Sequence, residues 1–223
     1  MPSPRLAFIG AGNMAEAILR GALRAGLVTP DAVSAADPSP DRRRLFHDDL
    51  GVTVAESADT LIGAADLVVL AVKPQVADAV LAPLAARLTP DKLLVSIAAG
   101  VSIERLTKLT SPDPPRIIRT MPNTPMLVGL GMVVLSPAPD CSDDDVARAR
   151  DLFAASAAVL QLPESSMDAV TAVSGSGPAY FFLLVEALAA AGARLGLSPG
   201  DAALLAATTF AGSAELLAST GLA

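Results

Sequence analysis

Short apolar runs alternate with longer amphipathic stretches along the first two-thirds of the chain. The apolar runs predict strands at Leu6–Gly10, Val33–Asp37, Leu67–Val72, Leu93–Ala98 and Arg116–Thr120. The stretches between them have helical spacing and predict helices near Met14–Ala25, Pro40–Leu50, Ala58–Ala64, Val76–Leu88 and Ser102–Leu109. Continuous apolar strands separated by helices are typical of a parallel sheet covered on both faces, so we expect a doubly wound α/β fold.

The pattern changes after the fifth predicted strand. Gly131–Pro139 predicts one more strand and a turn, and Ser142 with Asp145 predicts a capping box for a helix that ends near Ala157. After Pro163 we expect no strand, only Ala- and Leu-rich helices near Ser165–Val173, Pro178–Leu195 and Pro199–Ser219. This shift predicts a boundary near Leu162, between an α/β domain over residues 1–162 and an all-helical domain over residues 163–223.

The composition limits the classes of partner. Apolar residues make up 52% of the 223 residues and charged residues 17%, which excludes a disordered chain. The formal net charge of −7 leaves no basic face for a phosphate backbone, so we expect no nucleic-acid partner.

The cysteine content and the N-terminal sequence indicate the cellular compartment, and the apolar stretches bear on membrane association. Cys141 is the only cysteine, so no internal disulfide can form, and the N-terminal residues lack the long apolar region of a signal peptide. We therefore expect a cytoplasmic protein. The longest apolar stretch, Ala179–Leu197, is interrupted by Glu186 and Arg194, which favours a helix covered by another subunit over a membrane span.

A glycine-rich turn follows the first predicted strand. Gly10, Gly12 and Ala15 form the pattern G-x-G-x-x-A, directly after a strand and at the start of a helix. The first glycine permits a tight turn, the second lets the backbone approach a pyrophosphate, and the small third residue lets helix and strand pack closely. This context predicts a Rossmann-type dinucleotide-binding domain.

The end of the second strand bears on the choice of cofactor. Asp37 is placed to accept a hydrogen bond from a ribose 2′-hydroxyl, which favours NADH. Ser39, Arg42 and Arg43 follow at once and could hold the 2′-phosphate of NADPH, although the arginines could equally form a solvated helix face. The choice between NADH and NADPH stays open.

Two further strand ends are candidates for the cofactor cleft, because ligands bind at the carboxyl ends of strands in such sheets. Lys73, one of three lysines, lies at the end of a core strand before Pro74. Ala98-Ala99-Gly100 ends the next strand with small residues that suit either a nicotinamide ring or a plain turn.

Conventional acid–base groups are scarce. We expect His47 and Cys141 on the surface without a catalytic role, and Tyr180 packed in the first turn of a long helix. No residue set suggests a metal site or a Ser-His-Asp triad.

Two loops complete a set of four motifs. Arg119-Thr120-Met121-Pro122-Asn123-Thr124-Pro125 places polar groups on a rigid loop after a core strand. Ser174-Gly175-Ser176-Gly177-Pro178-Ala179-Tyr180 forms a sharp turn into an apolar helix. With F-I-G-A-G-N-M-A and A-V-K-P-Q, in this order and spacing, the whole chain resembles pyrroline-5-carboxylate reductase.

The resemblance implies a function and a set of site residues. Members of this family reduce 1-pyrroline-5-carboxylate to L-proline with NADPH or NADH, and their terminal helices form an interleaved homodimer, which can assemble further. The resemblance places cofactor-binding residues at Ile9, Gly10, Ala11, Gly12, Asn13, Met14, Asp37, Ser39, Ala71, Val72, Lys73, Pro74, Ala98, Ala99, Gly100 and Asn123. It places substrate-binding residues at Glu164, Ser174, Gly175, Ser176 and Gly177, and it identifies no catalytic residue or metal ligand. A protonated imine is already a good electrophile, so the reaction does not require a strong protein acid.

One feature departs from the family. Members continue with an S-P-G-G-T-T-like segment that binds the substrate carboxylate, and nothing in Pro199–Ala223 resembles it. We therefore expect a chain that is shortened at its C-terminus. Two alternatives stay open. One is a β-hydroxyacid-type dehydrogenase, which would need a lysine in the helical domain as general acid or base, although this sequence has none after Lys108. The other is a dinucleotide-binding dimer without turnover.

Overall fold

The computed structural model of the protein describes residues 5–221 and divides them into two compact units, which meet in sequence between Gly175 and Ser176. Residues 1–4 and 222–223 of the predicted domain ranges lie outside the described residues. The boundary near Leu162 stays a prediction.

Within residues 5–175, the first unit contains eight strands and six α-helices, joined by short 3₁₀ and π turns. The strands are β1 (Leu6–Ile9), β2 (Val33–Ala36), β3 (Thr53–Ala55), β4 (Leu67–Leu70), β5 (Leu93–Ser96), β6 (Arg116–Pro122), β7 (Gly131–Pro137) and β8 (Ala157–Gln161). The helices are α1 (Asn13–Arg24), α2 (Pro40–Arg44), α3 (Ala77–Leu81), α4 (Ile103–Leu109), α5 (Asp143–Ala154) and α6 (Met167–Val170).

The strands form one sheet in the order β3-β2-β1-β4-β5-β6-β7-β8. The first six are parallel, β7 is antiparallel to β6, and β8 is parallel to β7. The strand order reverses between β1 and β4, which is where such sheets open a crevice for a ligand. The doubly wound α/β fold predicted from the apolar runs, and the Rossmann-type domain predicted from the glycine-rich turn, are confirmed.

Both faces of this sheet are buried. Along β1, Leu6 and Phe8 belong to one apolar core, whereas Ala7 and Ile9 belong to the other. The first core contains α1 and α5 residues, and the second contains Leu81 from α3 and Leu106 from α4. Alternate side chains of a strand point to opposite faces, so a strand buried on both sides must be apolar at every position.

Two predicted helices differ from the structure, and two short strands, β3 and β8, were not predicted. The helix that begins at the Ser142–Asp145 capping box ends at Ala154, not near Ala157, because the chain from Ala157 to Gln161 pairs with β7 as an edge strand. The predicted helix Ala58–Ala64 is two 3₁₀ turns, Ala58–Thr60 and Ile62–Ala64.

The second unit is a pair of long helices, α7 (Gly177–Arg194) and α8 (Pro199–Thr220). They pack through small residues at Gly192 and Ala202 and through an edge-to-face contact between Phe181 and Phe210, whose ring centroids are 5.6 Å apart. Many large apolar side chains of this unit remain exposed, among them Tyr180, Phe181, Phe182, Leu183, Leu184, Leu188, Leu204, Leu205, Leu216 and Leu217.

Two stretches have the length and hydropathy of membrane spans. They are Glu164–Arg194 and Pro199–Thr220. Each contains an 18-residue segment with a mean hydropathy of 1.3, and the buried share of that segment is 6% in the first stretch and 11% in the second. Length and composition alone do not separate a membrane span from a helix that another protein surface covers.

Candidate active site

The strand ends of the first unit meet at one edge of the sheet. Register pairs Ile9 with both Ala36 and Leu70, and it pairs Leu70 with Ser96. The backbone N–H of Gly10 donates to Ala36 O at 2.8 Å, and that of Ala71 donates to Ile9 O at 2.8 Å. The glycine-rich turn, Asp37 and the loop after β4 therefore lie side by side.

The two glycines of the turn have different structural roles. Gly10 has φ of +96°, and a Cβ built there would lie 2.5 Å from the backbone oxygen of Ala71. A Cβ on Gly12 would meet nothing within 4 Å. Gly10 is thus required by the fold, whereas the missing side chain of Gly12 leaves room for a ligand.

The turn leads into the N-terminus of α1. Gly12 is the N-cap residue, and no side chain caps this helix end. The first backbone N–H groups of a helix have no intrahelical acceptor, and the helix dipole adds partial positive charge there. Open space beside these donors suits a phosphate group.

A cleft of about 640 Å³ lies beside this turn. Seven of the predicted cofactor residues line it: Ile9, Gly10, Gly12, Asp37, Ala71, Val72 and Lys73. Its other lining residues include an apolar wall of Val76, Val80, Pro83 and Leu84 and an acidic rim of Glu56 and Asp59. The sequence analysis missed the wall and the rim, although the spacing of Val76, Val80 and Leu84 marks one helical face.

Asp37 braces the glycine-rich turn from the end of β2. Its Oδ2 accepts the N–H of Ala11 at 2.8 Å, and its Oδ1 accepts the N–H of Ser39 at 2.8 Å. The carboxylate therefore shapes the turn in addition to lining the cleft.

The three arginines of α2 make three different sets of contacts. Arg42 donates to Ala11 O and to Glu16 Oε2, and Arg43 donates to the carbonyl oxygens of Asp37 and Pro38. Arg44 pairs with Asp41 at the surface. Arg42 is therefore turned towards the glycine-rich turn, which neither interpretation of its sequence position anticipated.

The remaining predicted cofactor residues do not line the cleft. They are Ala11, Asn13, Met14, Ser39, Pro74, Ala98, Ala99, Gly100 and Asn123. Four of them, Ala11, Asn13, Ser39 and Pro74, adjoin lining residues in sequence. Ala98–Gly100 follows β5 at the same sheet edge, with Ala98 buried and Gly100 at φ of +73°.

Glu164 joins two elements of the first unit. Its Oε1 accepts from the backbone N–H of Ile103 at 2.7 Å and from Nη1 of Arg119 at 3.0 Å. The Arg119 side chain is only 10% exposed and that of Glu164 33% exposed. This charge-assisted contact fixes the start of α4, strand β6 and the Glu164 segment relative to one another.

Asn123 joins the loop after β6 to the predicted substrate turn. Its Nδ2 lies 3.2 Å from Ser174 O and 3.3 Å from Ser174 Oγ, while its Oδ1 accepts the N–H of Met132 at 2.8 Å. Beside Ser174, a Cβ on Gly175 would lie 2.2 Å from Met121 Cε. The two motif loops that were predicted separately are therefore in contact.

The predicted substrate turn continues into the second unit. Ser176 is the N-cap residue of α7 and Gly177 its first residue, followed by Pro178 in a position that suits proline. Tyr180 is 60% exposed and so is not packed within this subunit. That it packs in the assembled protein stays a prediction.

The other titratable candidates lie away from this edge. His47 is exposed and pairs with its neighbour Asp48. Burial raises the pKa of the Cys141 thiol to about 11, with a further contribution from Asp140, and its Sγ donates to Ile117 O. Within residues 5–221, no group of three or more His, Cys, Asp or Glu side chains is arranged to hold a metal ion.

Comparison with known proteins identifies relatives across almost the whole chain. A family model described as NADP oxidoreductase, coenzyme F420-dependent, matches residues 5–100, and one described as pyrroline-5-carboxylate reductase dimerisation matches residues 164–223. Pyrroline-5-carboxylate reductase from Pseudomonas aeruginosa is 43% identical over 222 residues, which are 99% of this chain and 80% of the relative.

Solved structures agree with the sequence comparison. Pyrroline-5-carboxylate reductase from Coxiella burnetii superposes with a TM-score of 0.90 at 33% identity, covering 99% of this chain and 82% of the other. A pyrroline carboxylate reductase from Plasmodium falciparum, solved with NADP bound, gives 0.87 at 31% identity, covering 99% and 80%. The dimerisation match includes α7 and α8, so a subunit interface accounts for their exposed apolar surface.

Proposed function

We propose that the sheet edge around Gly12 and Asn123 is the active site of this chain, which belongs to the pyrroline-5-carboxylate reductase family. The chain reduces 1-pyrroline-5-carboxylate to L-proline with NAD(P)H. The reaction is the last step of proline synthesis. The family's dimerisation domain makes the protein a homo-oligomer, and a homodimer is its proposed minimum.

The residues at the glycine-rich turn fit a dinucleotide. The open space at Gly12, the uncapped start of α1 and the adjoining cleft match a pyrophosphate and the adenosine attached to it. When bound, the cofactor supplies the hydride. Gly12, Asn13 and Met14 would hold the pyrophosphate through backbone N–H groups, and Val76, Val80 and Leu84 would contact the adenine.

The far end of the same sheet edge is the proposed substrate side. Ala98–Gly100 and Asn123 would bound the nicotinamide, and the turn from Ser174 to Gly177 would hold the substrate. Asn123 orients this turn by donating to Ser174. The Glu164–Arg119 pair joins the segment before the turn to β6 and to the start of α4. A cyclic imine that binds in its protonated form needs alignment rather than a protein acid, which agrees with the scarcity of acid–base groups.

The observation that carries the cofactor half of this proposal is the open position at Gly12 beside the cleft. Isothermal titration of the protein with NADH and with NADPH tests it. Saturable binding of at least one cofactor, with one site per chain, is the expected result. Absence of binding for both would refute the cofactor site.

The cofactor preference can be tested at Asp37. We expect Asp37→Ala to weaken NADH binding by about tenfold and NADPH binding by less, because the ribose 2′-hydroxyl loses an acceptor whereas a 2′-phosphate loses a repulsive charge. Some loss is expected for both cofactors, since Asp37 also braces Ala11. Titration of both cofactors measures the ratio, with Asp41→Ala as the control on the neighbouring helix. Equal losses of NADH and NADPH binding would contradict a hydrogen bond between Asp37 and the ribose 2′-hydroxyl.

The apolar surface of α7 gives a test of assembly. We expect the double substitution Phe182→Asp and Leu183→Asp to shift the protein from dimer to monomer, because two charges would be buried in an apolar interface. Light scattering coupled to size-exclusion chromatography measures the mass. Ala86→Asp, which adds a charge at an exposed position of the first unit, is the control and should leave the mass unchanged. If the variant with both α7 substitutions were still a dimer, the interface would lie elsewhere.

A cytoplasmic location remains a proposal. It is supported by the single cysteine, which can form no internal disulfide, and by the biosynthetic role of the family.

A further inference from the structure

We propose that Arg42 positions the glycine-rich turn for the cofactor pyrophosphate and does not bind the 2′-phosphate of NADPH. The inference rests on the proposed cofactor site and concerns how this chain builds it. It assigns a role that neither the glycine pattern nor the position of Arg42 after β2 indicates.

The first observation is that both backbone polar groups of Ala11 are already paired. The N–H of Ala11 donates to Asp37 Oδ2 at 2.8 Å, and the carbonyl oxygen of Ala11 accepts from Nε of Arg42. Ala11 is buried, with 1% of its surface exposed. Its own N–H is therefore not among the donors left for a ligand.

The second observation concerns the direction of the next donor. In a trans peptide the carbonyl oxygen of one residue and the N–H of the next point in opposite directions. Because Arg42 holds the carbonyl of Ala11, the N–H of Gly12 points away from Arg42. Gly12 lines the cleft and Arg42 does not. Arg42 thus lies behind the turn and fixes the direction of the Gly12 donor.

The third observation is that the guanidinium group is itself held in place. Its Nη2 donates to Glu16 Oε2 at 2.8 Å, and its central carbon lies 5.7 Å from the centroid of the buried Phe46 ring. Glu16 also accepts from Nε of Arg20 at 2.9 Å. Burial opposes the charge on Glu16, but the hydrogen bonds from Arg42 and Arg20 outweigh it and lower the pKa of that carboxyl, so both partners are charged at neutral pH.

These contacts distinguish Arg42 from its two neighbours. Arg43 donates to the carbonyl oxygens of Asp37 and Pro38, and Arg44 pairs with Asp41 on the surface. Three consecutive arginines therefore provide a matched series in which charge is constant and contacts differ. A guanidinium that binds a 2′-phosphate discriminates between cofactors; one that orients a backbone donor for the shared pyrophosphate does not.

The test compares Arg42→Met with Arg44→Met by titration of the intact protein with NADH and with NADPH. Methionine keeps much of the apolar stem over Phe46 and removes every donor. We expect Arg42→Met to raise both dissociation constants about tenfold and by the same factor, and Arg44→Met to change neither. Arg42→Lys should remain defective, because one ammonium group cannot reproduce the fork that reaches Ala11 and Glu16.

A steady-state measurement separates positioning from a general loss of structure. We expect Arg42→Met to raise KM for the cofactor while kcat at saturating cofactor and KM for the imine stay within about twofold. A loss confined to NADPH would make Arg42 a phosphate ligand and overturn the proposal, as would full rescue by lysine. Unchanged dissociation constants in Arg42→Met would overturn it alone, whereas failure of the unsubstituted protein to bind either cofactor would overturn the proposed function with it.

Discussion

Replacement of Gly12 by alanine is expected to weaken binding of NADH and NADPH by about 100-fold without lowering the stability of the protein. The energy corresponds to about 2.7 kcal/mol. A Cβ at this position meets no protein atom within 4 Å, so the folded chain accommodates it, but the methyl group would take the space that the pyrophosphate needs. Isothermal titration measures the first effect and thermal unfolding the second.

Gly10→Ala is the matched comparison, because it changes the same turn by the same atom. Here the new Cβ would lie 2.5 Å from Ala71 O, on a residue with φ of +96°. We expect a loss of about 3 kcal/mol in the free energy of unfolding and a fall of about 10 °C in the midpoint. If Gly12→Ala bound both cofactors as tightly as the unsubstituted protein, the pyrophosphate could not lie at this turn.

Arg119→Met is expected to lower kcat/KM for the imine by about 100-fold and the free energy of unfolding by roughly 3 kcal/mol. The substitution leaves the partly buried carboxylate of Glu164 without its cation, and breaking a buried pair from one side costs about that much. It also breaks the link that Glu164 makes between the start of α4 and β6. The proposed nicotinamide and substrate loops depend on that link for their position. Kinetics with varied imine and chemical denaturation measure the two effects.

A double-mutant cycle shows whether the pair acts as a unit. Arg119→Met combined with Glu164→Gln should lose less than the sum of the single changes, because no unpaired charge is left. Arg105→Met is the control, since Arg105 lies on the same α4 and pairs with Asp78 across a half-exposed surface; we expect a change within about 0.5 kcal/mol. Additive losses at Arg119 and Glu164 would contradict the proposed coupling.

The sequence was sufficient for the part of the site that depends on local rules. The glycine-rich turn, its strand and its helix follow from glycine conformation and apolar spacing within fifteen residues or so. The same holds for the Ser142–Asp145 capping box, in which Ser142 and Asp145 bond reciprocally. Burial raises the pKa of the Asp145 carboxyl, but hydrogen bonds from Ser142 and Arg116 lower it by more, so this pKa lies below its usual value.

What the sequence did not reveal depends on contacts between distant segments. Arg42 reaches Ala11 across 31 positions, and Glu164 reaches Ile103 across 61. The β8 sequence, Ala-Ala-Val-Leu-Gln, contains good helix formers and becomes a strand only because β7 offers it a partner. Strand β3 has three residues, too few for a periodic signal, and missing it also concealed Glu56 and Asp59 at the cleft.

The central claim is that this protein uses the described sheet edge to reduce 1-pyrroline-5-carboxylate. The most direct test follows NADH or NADPH oxidation at 340 nm with and without the imine, and quantifies proline in the same samples. We predict oxidation that depends on the imine, with one proline formed for each cofactor oxidised. A protein that binds the cofactor but forms no proline would contradict the claim.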